Sequence, residues 1–487
     1  MPVHALERSL RRGLAAVPLA CALLCACDTV PTILPPPFGP NASHPEAARL
    51  FFPTGLSVAP SGHLLVANGN FDQAFSGGTM VSLDPSYVNS FFTNPVADPT
   101  DPTQPVPVDI PPAAFSGVVM IGNYAGPLTI DQTGVRAFVG SRDTNTLNAV
   151  SLDPNTGALS CFGGTGASDV DCRAGFMDTG ARFNLLGPYA IVPGVSRLPG
   201  ATSDVQVLFV SALIPYIEGV IDNTIYTSAP LAALTESNLS QALWVGDVSD
   251  SLNSIAGGTG AGPMVFDSLR RKLVLGGCYT RFTGQTVGEP SSGKCASTTA
   301  SNLIRFVGVD EGPNPDVQSV DISGYISSND TEDLALGNND PTTGLAQTLY
   351  AITRTPDLLV EINLPSDPTS LVQVTRATSM PISPAQMLRI ARPAGQTGPD
   401  LIAVTLENSE SVAIYDASAG QVVGQIENLG LSPFAITQFP SQPGDTTARL
   451  AVSVFQECRV ALIDVNYARP WEVRLRGRLG SCPIAPP

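Results

Sequence analysis

"PTGLSVAPSGHLLVAN", residues 53–68, decides the fold. A Pro-led apolar run, "PTGLSV", meets a turn, "PSGH", and a second apolar run, "LLVAN" (64–68), follows at once. Proline lacks a ladder N–H and is tolerated at the first position of a strand. Gly beside Ser and Pro marks the turn. The second run has the length and side chains of a buried strand. Two strands and a turn cannot bury both their faces, so this stretch needs copies of itself.

The copies are present. Six further runs match "LLVAN": "AFVGS" (137–141), "LFVSA" (208–212), "LVLGG" (273–277), "LYAIT" (349–353), "LIAVT" (401–405) and "LAVSV" (450–454). Most are preceded by a Pro-led run: "GPLTI" (126–130), "GPYAI" (187–191), "GPMVF" (262–266), "SPAQM" (383–387) and "SPFAI" (432–436). The fifth unit departs, with "EDLAL" (332–336) in that place. A third run follows and ends in Asp or Asn, as in "MVSLD" (80–84), "NAVSLD" (148–153), "FVGVD" (306–310), "VEIN" (360–363), "VAIYD" (412–416) and "VALID" (460–464); the third unit lacks it. A fourth, weaker run shows only in places, as in "VVGQIE" (422–427) and "WEVRLRGR" (471–478). About seven units of three or four antiparallel strands bury their faces when stacked radially. The fold class expected is all-β, a seven-bladed β-propeller over 49–487. Spacing between the apolar runs shrinks from about 73 to 49 residues, so the early units carry the long insertions.

The recurrence resembles the YVTN-type β-propeller repeat, with 53–68 as its best copy. That resemblance implies the same architecture and no particular ligand.

Composition fits a folded body, at 43% hydrophobic and only 14% charged. Gly (45) and Pro (44) are dispersed, as many turns require. Lys272 and Lys294 are the only lysines among 25 basic residues, a usage that, with abundant Ala, Gly and Pro, fits a bacterial genome of high GC content. Net charge is −17, and it becomes −19 once residues 1–26 leave with Arg8, Arg11, Arg12 and Glu7. Such a surface repels phosphate backbones, so no nucleic-acid partner is expected.

Residues 1–26 read as a secretory signal. Three arginines precede the apolar stretch "GLAAVPLACALL" (13–24), which is too short for the ~20 residues of a membrane span. Leu24-Cys25-Ala26-Cys27 resembles the lipobox of bacterial lipoproteins. The resemblance implies a diacylglyceryl group on Cys27, cleavage before it, and an exported protein anchored in the cell envelope, facing the periplasm or the outside. Residues 27–48 form a Pro-rich tether, in which Pro35, Pro36 and Pro37 favour a semi-rigid spacer.

Six cysteines remain beyond the signal region: Cys161, Cys172, Cys278, Cys295, Cys458 and Cys482. An even number in an exported chain implies disulfides. Neighbours in sequence suggest 161–172, 278–295 and 458–482, each closing a short loop.

Chemistry is sparse. Histidine reduces to His4, His44 and His63, and His63 sits in a predicted turn, where a solvated surface position is expected. A His-based zinc site or a serine triad is therefore not expected. "GGTGAGP" (257–263) lacks the Lys of a phosphate loop. Asp84, Asp153, Asp310, Asp416 and Asp464 end the third runs. Asp there caps a turn, although calcium would also suit carboxylates. The start of the innermost strands should line a channel mouth, with Asp131, Tyr189, Asp267, Glu332, Asp333 and Arg389 as candidates. In the insertion 86–115, Tyr87, Phe91 and Phe92 either contact a partner or pack the loop down. No cofactor is expected, calcium excepted. The function expected is non-enzymatic binding or scaffolding, with a membrane contact through the anchor and a protein or polysaccharide partner. The alternatives are a lactonase-like propeller hydrolase using a channel metal and carboxylates, or a surface adhesion module.

Overall fold

The middle strands of each unit are sealed on both faces. Leu64–Asn68 and Leu401–Leu406 are buried at every residue. Outer strands such as Gln373–Ser379 and Gln421–Ile426 are largely open. Burial that decays outward is what radially stacked sheets produce. In the computed structural model the described residues are 34–35, 50–98, 104–163, 169–173, 177–183, 185–214, 216–221, 224–228, 230–248, 262–276, 278–279, 301–322, 330–354, 356–367 and 371–482. The signal region, Cys27, Cys295 and all of the tether but Leu34 and Pro35 lie outside them. Pro35 is buried.

Seven antiparallel sheets follow one another along the chain. Blade 1 is Pro53–Val58, Leu64–Asn68, Gly78–Leu83 and Phe115–Ile121, in that spatial order. Blade 2 is Ala125–Ile130, Arg136–Ser141 and Thr146–Leu152, with its fourth place split between Leu159–Cys161 and Met177–Asp178. Blade 3 is Leu186–Ser196, Val205–Ile214, Pro230–Thr235 and Ala242–Asp247. Blade 4 is Met264–Asp267, Lys272–Leu275, Ser301–Gly308 and Val317–Asp321, with Cys278–Tyr279 also on its third strand. Blade 5 is Asp330–Leu336, Thr348–Arg354, Leu358–Asn363 and Gln373–Ser379; blade 6 is Pro384–Arg389, Leu401–Leu406, Ser411–Asp416 and Gln421–Ile426. Blade 7 is Pro433–Gln438, Thr447–Val454, Arg459–Asn466 and Val473–Leu479. Each first strand touches the first strand of the next blade, and that of blade 7 touches that of blade 1. The protein is a seven-bladed β-propeller.

Two expectations change. The third unit does have a third strand, Pro230–Thr235. It ends in Thr rather than Asp, and a separate hairpin, Tyr216–Ile221 with Thr224–Ser228, comes before it. The insertion 86–115 is not a free loop. Asp84 caps a helix, α1 (Pro85–Thr93), by accepting from the N–H groups of Ser86 and Tyr87. Val88, Phe91 and Phe92 of α1 share a core with Leu56 and Leu64 of blade 1 and Ala451, Val460 and Leu462 of blade 7. Phe92 meets Phe439 edge-on at 5.4 Å, and Arg449 Nη1 donates to Asn89 Oδ1 at 2.9 Å. Further along, Pro107–Val108 pairs in parallel with the outer strand of blade 7. The insertion of the first blade is the clasp of the ring.

This clasp is one case of a rule. The turn after the third strand leans on the outer strand of the preceding blade. Gly117 of blade 1 lies against Gly157 and Leu159, Gly246 of blade 3 against Pro313, and Gly424 of blade 6 against Pro470 and Trp471. Gly477 of blade 7 lies against Phe91 of α1. A Cβ on Gly424 would sit 2.5 Å from the Pro470 carbonyl, so only glycine lets the backbones approach. Sheet edges are thereby covered rather than offered to other strands.

Candidate functional site

The first strand bulges at the same place in six of the seven blades, with register shifts at Pro53/Gly55, Ala125/Leu128, Pro188/Ile191, Thr331/Asp333, Pro384/Met387 and Pro433/Ile436. A bulge frees N–H and C=O groups from the ladder. Side-chain oxygens take them up. Ser211 accepts from Ala190 N and donates to Gly262 O in blade 4 at 3.0 Å. Thr405 accepts from Gln386 N at 2.9 Å and donates to Phe434 O in blade 7 at 2.7 Å. Thr129 donates to Ile191 O of blade 3 at 2.7 Å, and Ser453 accepts from Ala435 N at 2.8 Å. These bonds form a belt around the channel. Its signal was in the sequence, as the Ser or Thr near the end of "LFVSA", "LIAVT" and "LAVSV", and the reading by apolar runs passed over it.

Inside the belt lies a cavity of about 190 Å³ lined by all seven first strands, among them Leu56, Thr129, Tyr189, Met264, Asp333, Gln386 and Ile436. The end where the first strands begin is called here the start face, and the end where they turn back the turn face.

The six residues expected at one mouth occupy both ends. Tyr189, Glu332 and Asp333 line the cavity on the start-face side. Asp131, Asp267 and Arg389 come at or just past the last residue of their strands, on the turn face. The reason is the hairpin. Asp131 accepts from the N–H groups of Val135 and Arg136 and from Thr133 Oγ1, and it pairs with Arg136 Nε at 3.1 Å. Arg136 goes on to Glu236 of blade 3, at 3.4 Å. Burial pushes the Glu236 carboxyl up, and Arg136 opposes this. Asp267 likewise accepts from Arg270 N at 3.0 Å and pairs with Arg270 Nη1 at 2.6 Å. Arg389 donates to Asn338 Oδ1 at 2.7 Å. These are turn fasteners.

On the start face the groups are differently placed. Asp333 belongs to the belt. Its Oδ1 accepts from Leu334 N and its Oδ2 from Met387 N of blade 6, both at 2.8 Å. Asp333 sits deep among protein atoms while keeping some surface in the channel. Burial raises its pKa to about 7 against the pull of those two N–H groups. Arg354 Nε lies 3.3 Å from Glu332 Oε1 and Arg354 Nη2 lies 2.8 Å from Glu407 Oε2, joining blade 5 to the loop of blade 6. Burial pushes the Tyr189 hydroxyl well up, with Glu332 and Asp333 adding to the rise and Arg142 and Arg354 opposing it.

Among the described residues no three His, Cys, Asp or Glu side chains converge as metal ligands. The aspartates ending the third strands are otherwise engaged. Asp84, Asp153 and Asp416 accept backbone N–H groups two and three residues on. Asp310 pairs with Arg271, and Asp464 with Arg476 at 2.5 Å. His63 is not solvated, as its turn position suggested. It is 4% exposed, bonded to Ser61 Oγ at 2.8 Å and wedged against Gly157 of blade 2. Burial lowers its pKa.

Cys161 is joined to Cys172 and Cys458 to Cys482. The Cys278 side chain and Cys295 lie outside the described residues. Among those residues no helix is long and apolar enough to cross a membrane.

No family model matches the chain, and no curated protein matches it. Solved structures similar to it include the β-propeller domain of Cps50 (Swd1) from Myceliophteria thermophila, at 10% identity over 85% of this chain and 96% of that one, with a TM-score of 0.44. Sqt1 of Saccharomyces cerevisiae is 8% identical over 84% and 83%, with a TM-score of 0.47. A putative 6-phosphogluconolactonase from Bacteroides uniformis is 13% identical over 86% and 94%, with a TM-score of 0.44. None of the three speaks to the activity of this chain.

Proposed function

We propose that the protein is an exported, lipid-anchored propeller of YVTN-type descent that binds a protein or polysaccharide partner on its start face without chemistry. Cys27 would carry the lipid, residues 28–48 would lead to the body, and the membrane would be the first partner. One observation carries the binding reading. An addition of blade 3, the hairpin of Tyr216–Ile221 with Thr224–Ser228, leaves from the start face as a two-stranded sheet of its own. On the turn face, α1 and Pro107–Val108 of the first blade's insertion are instead packed down as the clasp. A rigid ring presenting such a hairpin on one side suits recognition.

The rival is a lactonase-like hydrolase. Asp333, with a pKa near 7 beside Tyr189, is the observation that favours it, since such a carboxyl can exchange protons at neutral pH. Against it, both Asp333 oxygens already accept backbone N–H groups.

Photo-crosslinkers placed at Thr224 and at Asn155, on the two faces, test the reading in envelope preparations. Adducts from position 224 alone support it, and adducts from 155 alone overturn it. Lactone hydrolysis that disappears in Asp333→Asn would move the protein to the rival class. Fatty-acid labelling of the wild type and not of Cys27→Ala is expected, and equal labelling removes the anchor.

A further inference from the structure

Arg142 follows the second strand of blade 2 and stands at the start-face rim. Burial lowers its pKa, and its field reaches Tyr189 in the channel wall. Its one hydrogen-bond acceptor among the described residues is the Tyr124 carbonyl, 3.4 Å from Nε. The guanidinium lies over the Phe71 ring at 5.6 Å, and Phe71 is braced edge-on by Tyr124 at 4.8 Å and Phe455 at 5.0 Å. Arg136 also lies over a ring, that of Phe162, yet it has Asp131 and Glu236. Arg478, which feels Glu457 and Asp98, also reaches the oxygens of Pro105, Gln104 and Asn428. Among the described residues Arg142 has neither kind of compensation. A sequestered cation without a counter-charge is expensive for a fold to keep, and a guanidinium presents a planar fork that matches a carboxylate.

We propose that this rim binds a small monocarboxylate, its carboxylate on Arg142 beside the Tyr189 hydroxyl and its apolar body toward Phe71 and the channel. Size and charge narrow the class. An apolar cavity of about 150 Å³ admits benzene, so the channel of about 190 Å³ takes an apolar body of about eight non-hydrogen atoms. Glu332 and Asp333 face the same space and disfavour a phosphate dianion. The proposal does not rest on the partner-binding reading. Carboxylate binding can fail while crosslinks stay on the start face, and the reverse.

The test titrates the full chain with benzoate by calorimetry, with benzyl alcohol as the neutral isostere and inorganic phosphate as the rival anion. Saturable benzoate binding is expected, at least tenfold tighter than either. Arg142→Gln should weaken it at least tenfold, Arg142→Lys by less, and Tyr189→Phe by a few-fold. Arg474→Gln, at an exposed arginine of blade 7, should change nothing. No benzoate binding, equal affinity for benzyl alcohol, tighter phosphate binding, or undiminished binding by Arg142→Gln each overturns the proposal. If Arg142→Gln does not fold, Arg142→Lys and Tyr189→Phe decide, and benzoate affinity unchanged in both refutes it.

Discussion

The two ends of the channel carry similar side chains to different purposes. On the turn face, Asp131 and Asp267 each sit at the close of a first strand and are tied by an arginine and by the turn's own N–H groups. On the start face, Asp333 is held by the backbones of two blades and faces the cavity, while Arg142 has no carboxylate partner among the described residues. A carboxylate at the end of a strand is a fastener, and one at its bulge is part of the channel. Position along the strand decides this, not residue type.

The sharpest way to break that contrast is Asp131→Ala. It strips three donors of their acceptor and leaves Arg136 half-paired, which should cost ~3–5 kcal/mol, measurable by denaturant unfolding. A cost under ~1 kcal/mol would make the turn face no more fastened than the mouth. Next, removing the start-face staple with Cys458→Ser and Cys482→Ser should cost ~3 kcal/mol, read as a lower melting temperature.

Asp333→Asn comes third and is a matter of pH. A carboxyl whose folded pKa is about 7, above its unfolded value of about 3.9, stabilises the fold most where both states are protonated. Stability from this group is therefore fully present below about pH 4, falls as pH rises, and levels off above about 7. The effect is on the order of 1–3 kcal/mol, and Asp333→Asn should flatten that window in unfolding curves at constant ionic strength. A wild-type profile already flat there would mean the belt keeps Asp333 charged. The smallest effect is expected at Trp471→Ala, 60% exposed on the turn after the third strand of blade 7, within ~0.5 kcal/mol by the same unfolding assay.

Much of the ring was legible because its inner strands are apolar on both faces. "LLVAN" and "VAIY" (412–415) stand out as runs since nothing in them meets water. The outer strands were harder. Gln373–Ser379 is exposed at five of its seven residues and resembles any polar segment, and the fourth strand of blade 2 is split across an insertion. The candidate site was half legible. Tyr189, Glu332 and Asp333 do line the cavity, whereas Asp131, Asp267 and Arg389 share their chemistry and differ in lying at or just past the far ends of their strands. Arg142 was not singled out, because a lone arginine after a strand has no pattern. What distinguishes it is the absence of a carboxylate partner among the described residues, and only the folded structure reveals that.

The clasp sets an order of events during synthesis. At blades 1, 3 and 6, the turn that shields the outer edge is translated after the edge it shields. Blade 7 reverses this: helix α1 and Pro107–Val108 leave the ribosome with the first blade, and Arg478 finds the Pro105 carbonyl 373 positions away. Until blade 7 emerges, the nascent chain carries Phe91 and Phe92 with only the blade 1 side of their core in place. A chaperone that protects this chain should therefore hold the beginning of the body, and release it when the end arrives.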